Sequence, residues 1–211
     1  MTVKAILFDA DGVIQRPTPA RRSLWAQLLG GAEGSVDAFL QDLFEAERGC
    51  YTGSGDFIRS VRDLLERWNC AGDLSAALQA WIAIDADPGI RQVIALLRAS
   101  GYPCYLASNQ EPYRARYMSE TLAYRALFDG EFYSCTVGYA KPDPAYFAAI
   151  LKAIAVPAEH VLFIDDHSTN VHAALSVGLR ASVFAPADHE RWHGAMEQLL
   201  VGYDLALAPG D

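Results

Sequence analysis

Two aspartates separated by one residue follow a short apolar run near the start of the chain. Ala5 to Phe8 are apolar, and Asp9, Asp11 and Gly12 come directly after them. An apolar run that ends in turn-forming residues predicts a strand buried on both faces. Residues two apart in a strand project to the same side, so the two carboxylates should emerge together at its carboxyl end. Such close like charges favour a nearby cation, proton or substrate, although a solvated turn uses the same residue types.

Three further strand candidates are followed by polar residues. These residues are Ser108 and Asn109, then Lys141, then Asp165 and Asp166. In a doubly wound parallel sheet, ligands bind outside the carboxyl ends of the strands. We therefore expect carboxylates, a lysine and a hydroxyl to converge on one crevice.

This mixture of side chains suits the transfer of a phosphoryl group. A phosphoryl group is anionic and repels a carboxylate nucleophile, and a divalent cation on hard oxygen ligands neutralises that repulsion. A lysine and a hydroxyl can hold the remaining phosphoryl oxygens as charge shifts in the transition state. A second carboxylic acid can protonate the leaving oxygen and then take a proton from water.

Helices and strands alternate from residue 87 onward, which predicts an α/β fold with a Rossmann-like, doubly wound parallel sheet. Residues 20–86 instead show four amphipathic helical stretches without strands, which predicts a small helical bundle inserted after the first strand. We predict a core domain of residues 1–15 and 87–211 and an inserted helical domain of residues 16–86.

The helical patterns also predict particular boundaries and faces. Leu24 and Phe44 are expected to face inward from the first two inserted helices, and Asp73 and Asp87 are expected to cap helices. The last helix is expected from Asp188 to about residue 200.

Composition limits the classes of partner. The 211 residues carry a formal net charge of -9, which disfavours nucleic acid and anionic membranes as partners. No apolar run reaches the length of a membrane span, and Met1 leads within four residues into the first strand, leaving no room for a signal peptide. The four cysteines form no C-x-x-C pair. We expect a cytoplasmic protein with reduced thiols, a monomer or homodimer, that binds a small molecule.

The motifs resemble those of haloacid dehalogenase (HAD) superfamily phosphohydrolases. The family's D-x-D-G-[VT] is matched by residues 9–13, and its strand-ending Ser or Thr by Ser108. Its K-P-[DE]-P is matched by residues 141–144, and its D-D-x-x-x-N-V by residues 165–171. The motifs occur in the family's order along essentially the whole chain, and residues 16–86 lie where the family inserts its C1 cap domain.

This resemblance implies a role for each acidic residue. Asp9 would be the nucleophile that forms an aspartyl-phosphate, and Asp11 would be the general acid/base. Mg2+ would be held by Asp9, the backbone carbonyl of Asp11 and Asp166. Asp165 would act through water or by orienting Lys141, and the resemblance leaves open which of the paired aspartates touches the metal directly.

The resemblance also implies a phosphate site and a cap contribution. Ser108, the Asn109 amide and Lys141 would hold the phosphoryl group. In the turn between two predicted cap helices, Arg48 and Tyr51 are expected to contact the leaving group, although a simple helix connection explains that turn equally well.

The implied function is Mg2+-dependent hydrolysis of a small phosphomonoester such as a sugar phosphate. Dehalogenases of this superfamily lack a second aspartate at the position of Asp11, so its presence favours phosphate transfer. Sugar phosphomutases usually carry an E-D pair where this chain has Asp165 and Asp166, which favours hydrolysis over mutase activity. A non-enzymatic interaction protein on the same fold is the third interpretation, and it leaves the complete set of motif side chains unexplained.

Overall fold

The computed structural model describes residues 2–188 and 191–205. From residue 87 onward its strands and helices alternate as predicted. Residues 20–86 were predicted to contain no strand, but they include the short strand Ile84–Ala86, which pairs with Gln15–Pro17. The strands are β1 (Ala5–Phe8), β2 (Gln15–Pro17), β3 (Ile84–Ala86), β4 (Cys104–Ser108), β5 (Gly130–Tyr133), β6 (Val161–Asp165) and β7 (Arg180–Val183). The helices are α1 (Arg21–Leu28), α2 (Val36–Arg48), α3 (Phe57–Arg67), α4 (Leu74–Trp81), α5 (Pro88–Ala99), α6 (Pro112–Glu120), α7 (Tyr124–Leu127), α8 (Ser134–Val137), α9 (Pro144–Ile154), α10 (Ser168–Ser176) and α11 (Trp192–Val201), with 3-10 helices at Glu33–Ser35 and Ala158–His160.

The large sheet is parallel and has the order β5-β4-β1-β6-β7. The central strand β1 places Phe8 beside Leu106 of β4 and beside Ile164 of β6. The residues that follow β1 and those that end β4 and β6 therefore lie along one edge. This arrangement confirms the predicted α/β fold with a doubly wound parallel sheet.

The apolar run of β1 is buried on both faces because helices cover the sheet on each side. Ile6 and Phe8 belong to one hydrophobic cluster, whereas Ala5 and Leu7 belong to another. All four side chains are fully buried. Alternate residues of the strand thus supply opposite layers of the core, and Asp9 follows at a rigidly held end.

Residues 25–81 contribute a separate hydrophobic cluster that includes Trp25, Phe39, Leu64 and Trp81. The antiparallel pair β2–β3 connects this helical unit to the sheet domain, with Gln15 beside Ala86 and Pro17 beside Ile84 in its register. The division into residues 1–15 with 87–211 and residues 16–86 stays a prediction. β2 crosses its first boundary, and β3 ends at its second.

The two predicted caps are confirmed. The side chain of Asp73 accepts a hydrogen bond from the backbone N–H of Ala76, and that of Asp87 accepts one from Ile90. Each bond satisfies a backbone donor in the first turn of the helix, where the helix itself supplies no acceptor.

The prediction that two apolar side chains of the inserted helices face inward was wrong. Leu24 is 36% exposed and Phe44 is 41% exposed. In α1 the buried face runs through Arg21, Trp25 and Leu28, because the helix turns its aromatic residue toward the cap core. Leucine at helical spacing could not distinguish this face from its neighbour.

Two other details differ from the sequence prediction. The last helix begins at Trp192 rather than at Asp188, and residues 189 and 190 lie outside the described residues. Lys141 does not directly follow β5, since α8 lies between them. Within the described residues, no helix combines the length and the apolar character needed to cross a membrane.

Candidate active site

The carboxyl edge of the sheet faces the helical cap across a cleft of about 290 Å³. Seven of the nine predicted site residues line this cleft, together with His167 and Asn170. The seven are Asp9, Asp11, Arg48, Tyr51, Ser108, Asn109 and Lys141. Asp165 and Asp166 do not line it, and they lie at the end of β6 next to these residues.

Lys141 bridges two carboxylates at the edge of the sheet. Its Nζ lies 2.7 Å from Oδ1 of Asp9 and 2.6 Å from Oδ2 of Asp165, and all three side chains are buried. Burial raises the pKa of Asp9 to about 7, although the Lys141 ammonium opposes this shift. Burial acts to lower the pKa of Lys141, but the two carboxylates outweigh it and the pKa is raised. With both carboxylates ionised, one lysine leaves an excess negative charge that a bound cation would neutralise.

Asp165 is fully engaged by protein donors. Its Oδ1 accepts from the backbone N–H of His167 at 2.8 Å and from Nδ2 of Asn170 at 3.0 Å. Its Oδ2 accepts from Asn170 at 3.1 Å and from Lys141. Because these donors occupy its lone pairs, the geometry favours orientation of Lys141 over direct metal binding as the role of Asp165.

Asp166 has fewer protein hydrogen-bond partners than Asp165, and its side chain lies close to the turn after β1. Its Oδ1 lies 2.6 Å from Nδ1 of His167, and a Cβ added at Gly12 would lie 2.3 Å from its Oδ2. Gly12 also has φ +78°, so a glycine is required there for both conformation and space. Burial raises the pKa of Asp166, and the hydrogen bond to Asp166 raises the pKa of His167. Ligand atoms of Asp165, Asp166 and His167 lie within 4.8 Å of one another.

Asp11 is held by four N–H donors. Nη1 and Nη2 of Arg114 lie 2.7 Å from its two oxygens, while Gln110 donates at 2.8 Å and Gln15 at 3.0 Å. Burial acts to raise the pKa of Asp11, but the Arg114 guanidinium and these hydrogen bonds outweigh it and hold the pKa at about 2. The aspartate pair therefore splits, since one carboxyl has a raised pKa and the other a lowered one.

Sequence reasoning did not identify Arg114 or the residues that support it. Trp81, at the end of α4 in the cap, donates from Nε1 to Oε1 of Glu111 at 3.0 Å. Glu111 caps α6 by accepting from the backbone N–H groups of Tyr113 and Arg114. The pair Glu111-Pro112 carries a detectable helix-start pattern, but nothing in the sequence shows that the third residue of α6 turns inward.

The predicted phosphate-binding residues line the same cleft: Ser108 ends β4, Asn109 follows it, and Lys141 lies in the loop between α8 and α9. Oγ of Ser108 accepts from Nε2 of Gln110 at 3.2 Å. The side chain of Asn109 bonds both backbone groups of Lys141, at 2.8 Å each, beside a cis peptide bond to Pro142. The Asn109 side chain thus fixes the lysine loop, which leaves its backbone amide as the group expected to face a phosphate.

The predicted cap residues reach the same cleft. Arg48 is exposed, and the hydroxyl of Tyr51 donates to Oε2 of Glu47 at 3.0 Å. Glu47 is 3% exposed, and burial raises its pKa to about 8. The following turn approaches the core closely, since a Cβ added at Gly53 would lie 2.5 Å from the carbonyl oxygen of Cys135.

A comparison with known protein families identifies the family to which this chain belongs. The sequence profile of the haloacid dehalogenase-like hydrolases matches residues 3–178. The chain belongs to the haloacid dehalogenase-like hydrolases. This membership confirms the resemblance inferred from the four motifs.

Individual relatives of this haloacid dehalogenase-like hydrolase differ in how much they cover. This chain is 26% identical over 211 residues to the D-ribitol-5-phosphate phosphatase of Bacteroides thetaiotaomicron. The alignment covers 94% of this chain and 98% of that protein. A 62-residue stretch is 47% identical to the drimenol cyclase drtB of Aspergillus calidoustus, but the chain spans only 12% of that protein's length.

Solved structures share the fold of this hydrolase. A HAD-like family hydrolase from Porphyromonas gingivalis superposes with a TM-score of 0.74 at 22% identity, covering 95% of this chain and 98% of that one. A HAD family enzyme from Bacteroides thetaiotaomicron, solved with magnesium and inorganic phosphate, has a TM-score of 0.69 at 20% identity and covers 90% of this chain and 98% of its own. At these identities the likeness concerns the fold.

Proposed function

We propose that this protein is a Mg2+-dependent phosphomonoester hydrolase that acts on a small phosphorylated metabolite through an aspartyl-phosphate. One observation carries the proposal: Asp9 is held by Lys141 at 2.7 Å, and both line a cleft with Asp11, Ser108 and Asn109. A nucleophilic carboxylate, a second carboxyl and phosphate-binding donors thus share one site.

The residues present fit a Mg2+ ion. Mg2+ prefers hard oxygen ligands, and Asp9, Asp166 and the backbone carbonyl of Asp11 offer them. Asp166 has few protein partners, and the excess negative charge around Lys141 calls for a further cation. Bound there, Mg2+ would neutralise phosphoryl oxygens and lower their repulsion of the nucleophile.

The protein's own residues account for both chemical steps. In the first step a carboxylate oxygen of Asp9 attacks phosphorus, the bond from phosphorus to the ester oxygen breaks, and that oxygen takes the proton of Asp11 and leaves as an alcohol. In the second step Asp11 takes a proton from water, the water oxygen attacks phosphorus, and the bond to Asp9 breaks to release phosphate. Lys141 and Ser108 hold the phosphoryl oxygens throughout.

The cap side of the cleft would contact the leaving group. Arg48 and Tyr51 line the cleft opposite the strand ends, and a volume of about 290 Å³ suits a small ester. The relative that acts on D-ribitol 5-phosphate supports a phosphorylated polyol or sugar as the substrate class. The substrate would therefore be a small phosphate ester, and the predictions of a monomer or homodimer and of a cytoplasmic location stay open to test.

A screen for phosphate release tests the proposal. Purified protein is incubated with a panel of phosphorylated sugars, polyols and nucleotides, with Mg2+ and with chelator. We expect release with Mg2+, none with chelator, and none from Asp9→Asn, whereas Asp63→Asn at an exposed cap position should match the wild type. Absence of turnover across the whole panel would contradict the proposal.

A further inference from the structure

Arg114 binds the carboxylate of Asp11 without lining the cleft. Its side chain is 5% exposed, and its two terminal nitrogens donate to the two oxygens of Asp11 in a fork-to-fork pair. We propose that Arg114 is a positioning residue for Asp11 and that Trp81 of the cap holds Arg114 in place. This inference rests on the phosphatase function proposed above.

The geometry fixes the plane of the carboxyl group. An ionised carboxylate offers about four lone-pair sites, and Arg114 fills two of them while Gln15 and Gln110 fill the others. When Asp11 carries a proton, one of these bonds must give way. The neutral amide bonds are weaker than the charge-assisted ones, so the two contacts to Arg114 persist and keep the group in place.

The fork of Arg114 matters for proton transfer because it sets the position of the Asp11 carboxyl. The guanidinium itself favours the ionised form of Asp11. Its contribution to the reaction is therefore to hold the carboxyl within reach of the ester oxygen, and it does not supply the proton. In the first step this placement is needed only when the leaving oxygen needs a proton.

Arg114 is in turn held from the cap. Its guanidinium carbon lies 5.3 Å from the ring centroid of Trp81, and Nε1 of Trp81 donates to Glu111 at 3.0 Å. Glu111 caps the helix that carries Arg114, so one cap residue contacts both the guanidinium and the start of its helix. The position of the cap is thereby linked to the position of Asp11.

Arg21 provides a matched control. It is also buried, and its guanidinium carbon lies 5.2 Å from the same Trp81 ring. Among the described residues it makes no hydrogen bond to Asp11. Arg21→Met therefore removes a buried cation beside Trp81 without removing the two hydrogen bonds from Arg114 to Asp11.

The test compares kcat/KM for two aryl esters of similar size. Phenyl phosphate needs a proton on its leaving oxygen, whereas 2,4-dinitrophenyl phosphate does not. We expect Arg114→Met to lower kcat/KM for phenyl phosphate about 100-fold and for the dinitrophenyl ester less than about 5-fold. Arg114→Lys should lose about 10-fold on phenyl phosphate, because it keeps the cation and loses the fork. Trp81→Phe should show the same selectivity more weakly.

Each outcome decides the inference. Arg114→Met added to Asp11→Asn should change nothing further for phenyl phosphate, and Arg21→Met should leave the ratio of the two esters unchanged. If the wild type hydrolyses both esters and the Arg114 variants lose both equally, the inference is wrong and the phosphatase function stands. If the wild type hydrolyses neither with Mg2+, the proposed function itself fails. Circular dichroism checks folding, and Arg114→Lys carries the test if Arg114→Met does not fold.

Discussion

Nζ of Lys141 lies 2.7 Å from Oδ1 of Asp9, and both side chains are almost wholly removed from water. Burial disfavours the carboxylate form of Asp9, and the ammonium of Lys141 opposes that effect. The nucleophile of the proposed reaction must be ionised to attack. The pair therefore links the placement of the phosphate-binding lysine to the charge state of the nucleophile.

Lys141→Met should shift the acid limb of the pH–rate profile upward. Loss of the ammonium raises the pKa of Asp9 further above its ordinary value, so a higher pH is needed to ionise it. We also expect kcat/KM to fall about 100- to 1,000-fold, because a donor to the phosphoryl oxygens is lost. The measurement is kcat/KM against pH, with the exposed Lys152→Met as control. An acid limb that does not move would contradict the link.

The two aspartates after β6 should separate in their effects. Asp166→Asn should strongly weaken Mg2+ binding measured by calorimetry while changing the melting temperature little. Asp165→Asn should weaken Mg2+ binding only about 10-fold, as expected for a residue that acts behind the ligands. It should also lower the free energy of unfolding by about 3 kcal/mol, since it disturbs a buried ion pair with Lys141. The reverse order of Mg2+ affinities would assign the ligand to Asp165.

Gly12→Ala should weaken Mg2+ binding by about 10-fold or more. The added Cβ would lie 2.3 Å from Oδ2 of Asp166 and would push that carboxylate aside. Gly101→Ala is the control, because Gly101 has φ +86° and no atom within 4 Å of an added Cβ. It should cost only about 1–2 kcal/mol of backbone strain and leave Mg2+ binding intact. Equal Mg2+ affinities for the two variants would show that the close approach of Gly12 to Asp166 does not influence Mg2+ binding.

Glu47→Gln should flatten the pH dependence of stability. In the unfolded chain Glu47 loses its proton near its ordinary pKa of 4.5, whereas in the folded protein its pKa is raised to about 8. Its contribution to stability is therefore complete below about pH 4.5 and declines as the pH rises toward about 8. Relative to wild type, Glu47→Gln should raise the free energy of unfolding at pH 8 by about 2–4 kcal/mol.

Urea unfolding at pH 5 and at pH 8 measures this difference. Glu45→Gln, at an exposed position of the same helix, should show the wild-type dependence. A Glu47→Gln variant that loses stability between pH 5 and pH 8 as steeply as the wild type would refute the assignment.

The sequence was sufficient to predict which strand ends meet. A run such as Ala5 to Phe8 has no polar residue on either face and ends in turn-forming residues, which favours a strand covered on both sides. Once β1, β4 and β6 are parallel neighbours, Asp9, Ser108 and Asp165 must share an edge. Chain connectivity and burial determine this outcome, and both leave a clear pattern in the sequence.

The sequence was not sufficient to predict what surrounds Asp11. α6 carries arginines at 114 and 116. Packing against the cap buries Arg114, whereas Arg116 lies on the surface, paired with Glu120. The same tertiary contacts decide that Trp25 rather than Leu24 is buried in α1. Contacts between the inserted helices and the sheet domain join residues far apart in the chain. The local hydrophobic periodicity of the sequence therefore does not predict them.

Covalent labelling of Asp9 tests the central claim most directly. The protein is mixed with Mg2+ and a phosphate ester that it hydrolyses, and the reaction is quenched in acid within milliseconds. The protein is then digested, and its peptides are analysed by mass spectrometry. We predict one added phosphoryl group on Asp9 in the peptide that contains residues 5–13, more of it in Asp11→Asn because water attack is slowed, and none in Asp9→Asn. A protein that releases phosphate with this peptide always unmodified, or with the label on another residue, would contradict the account.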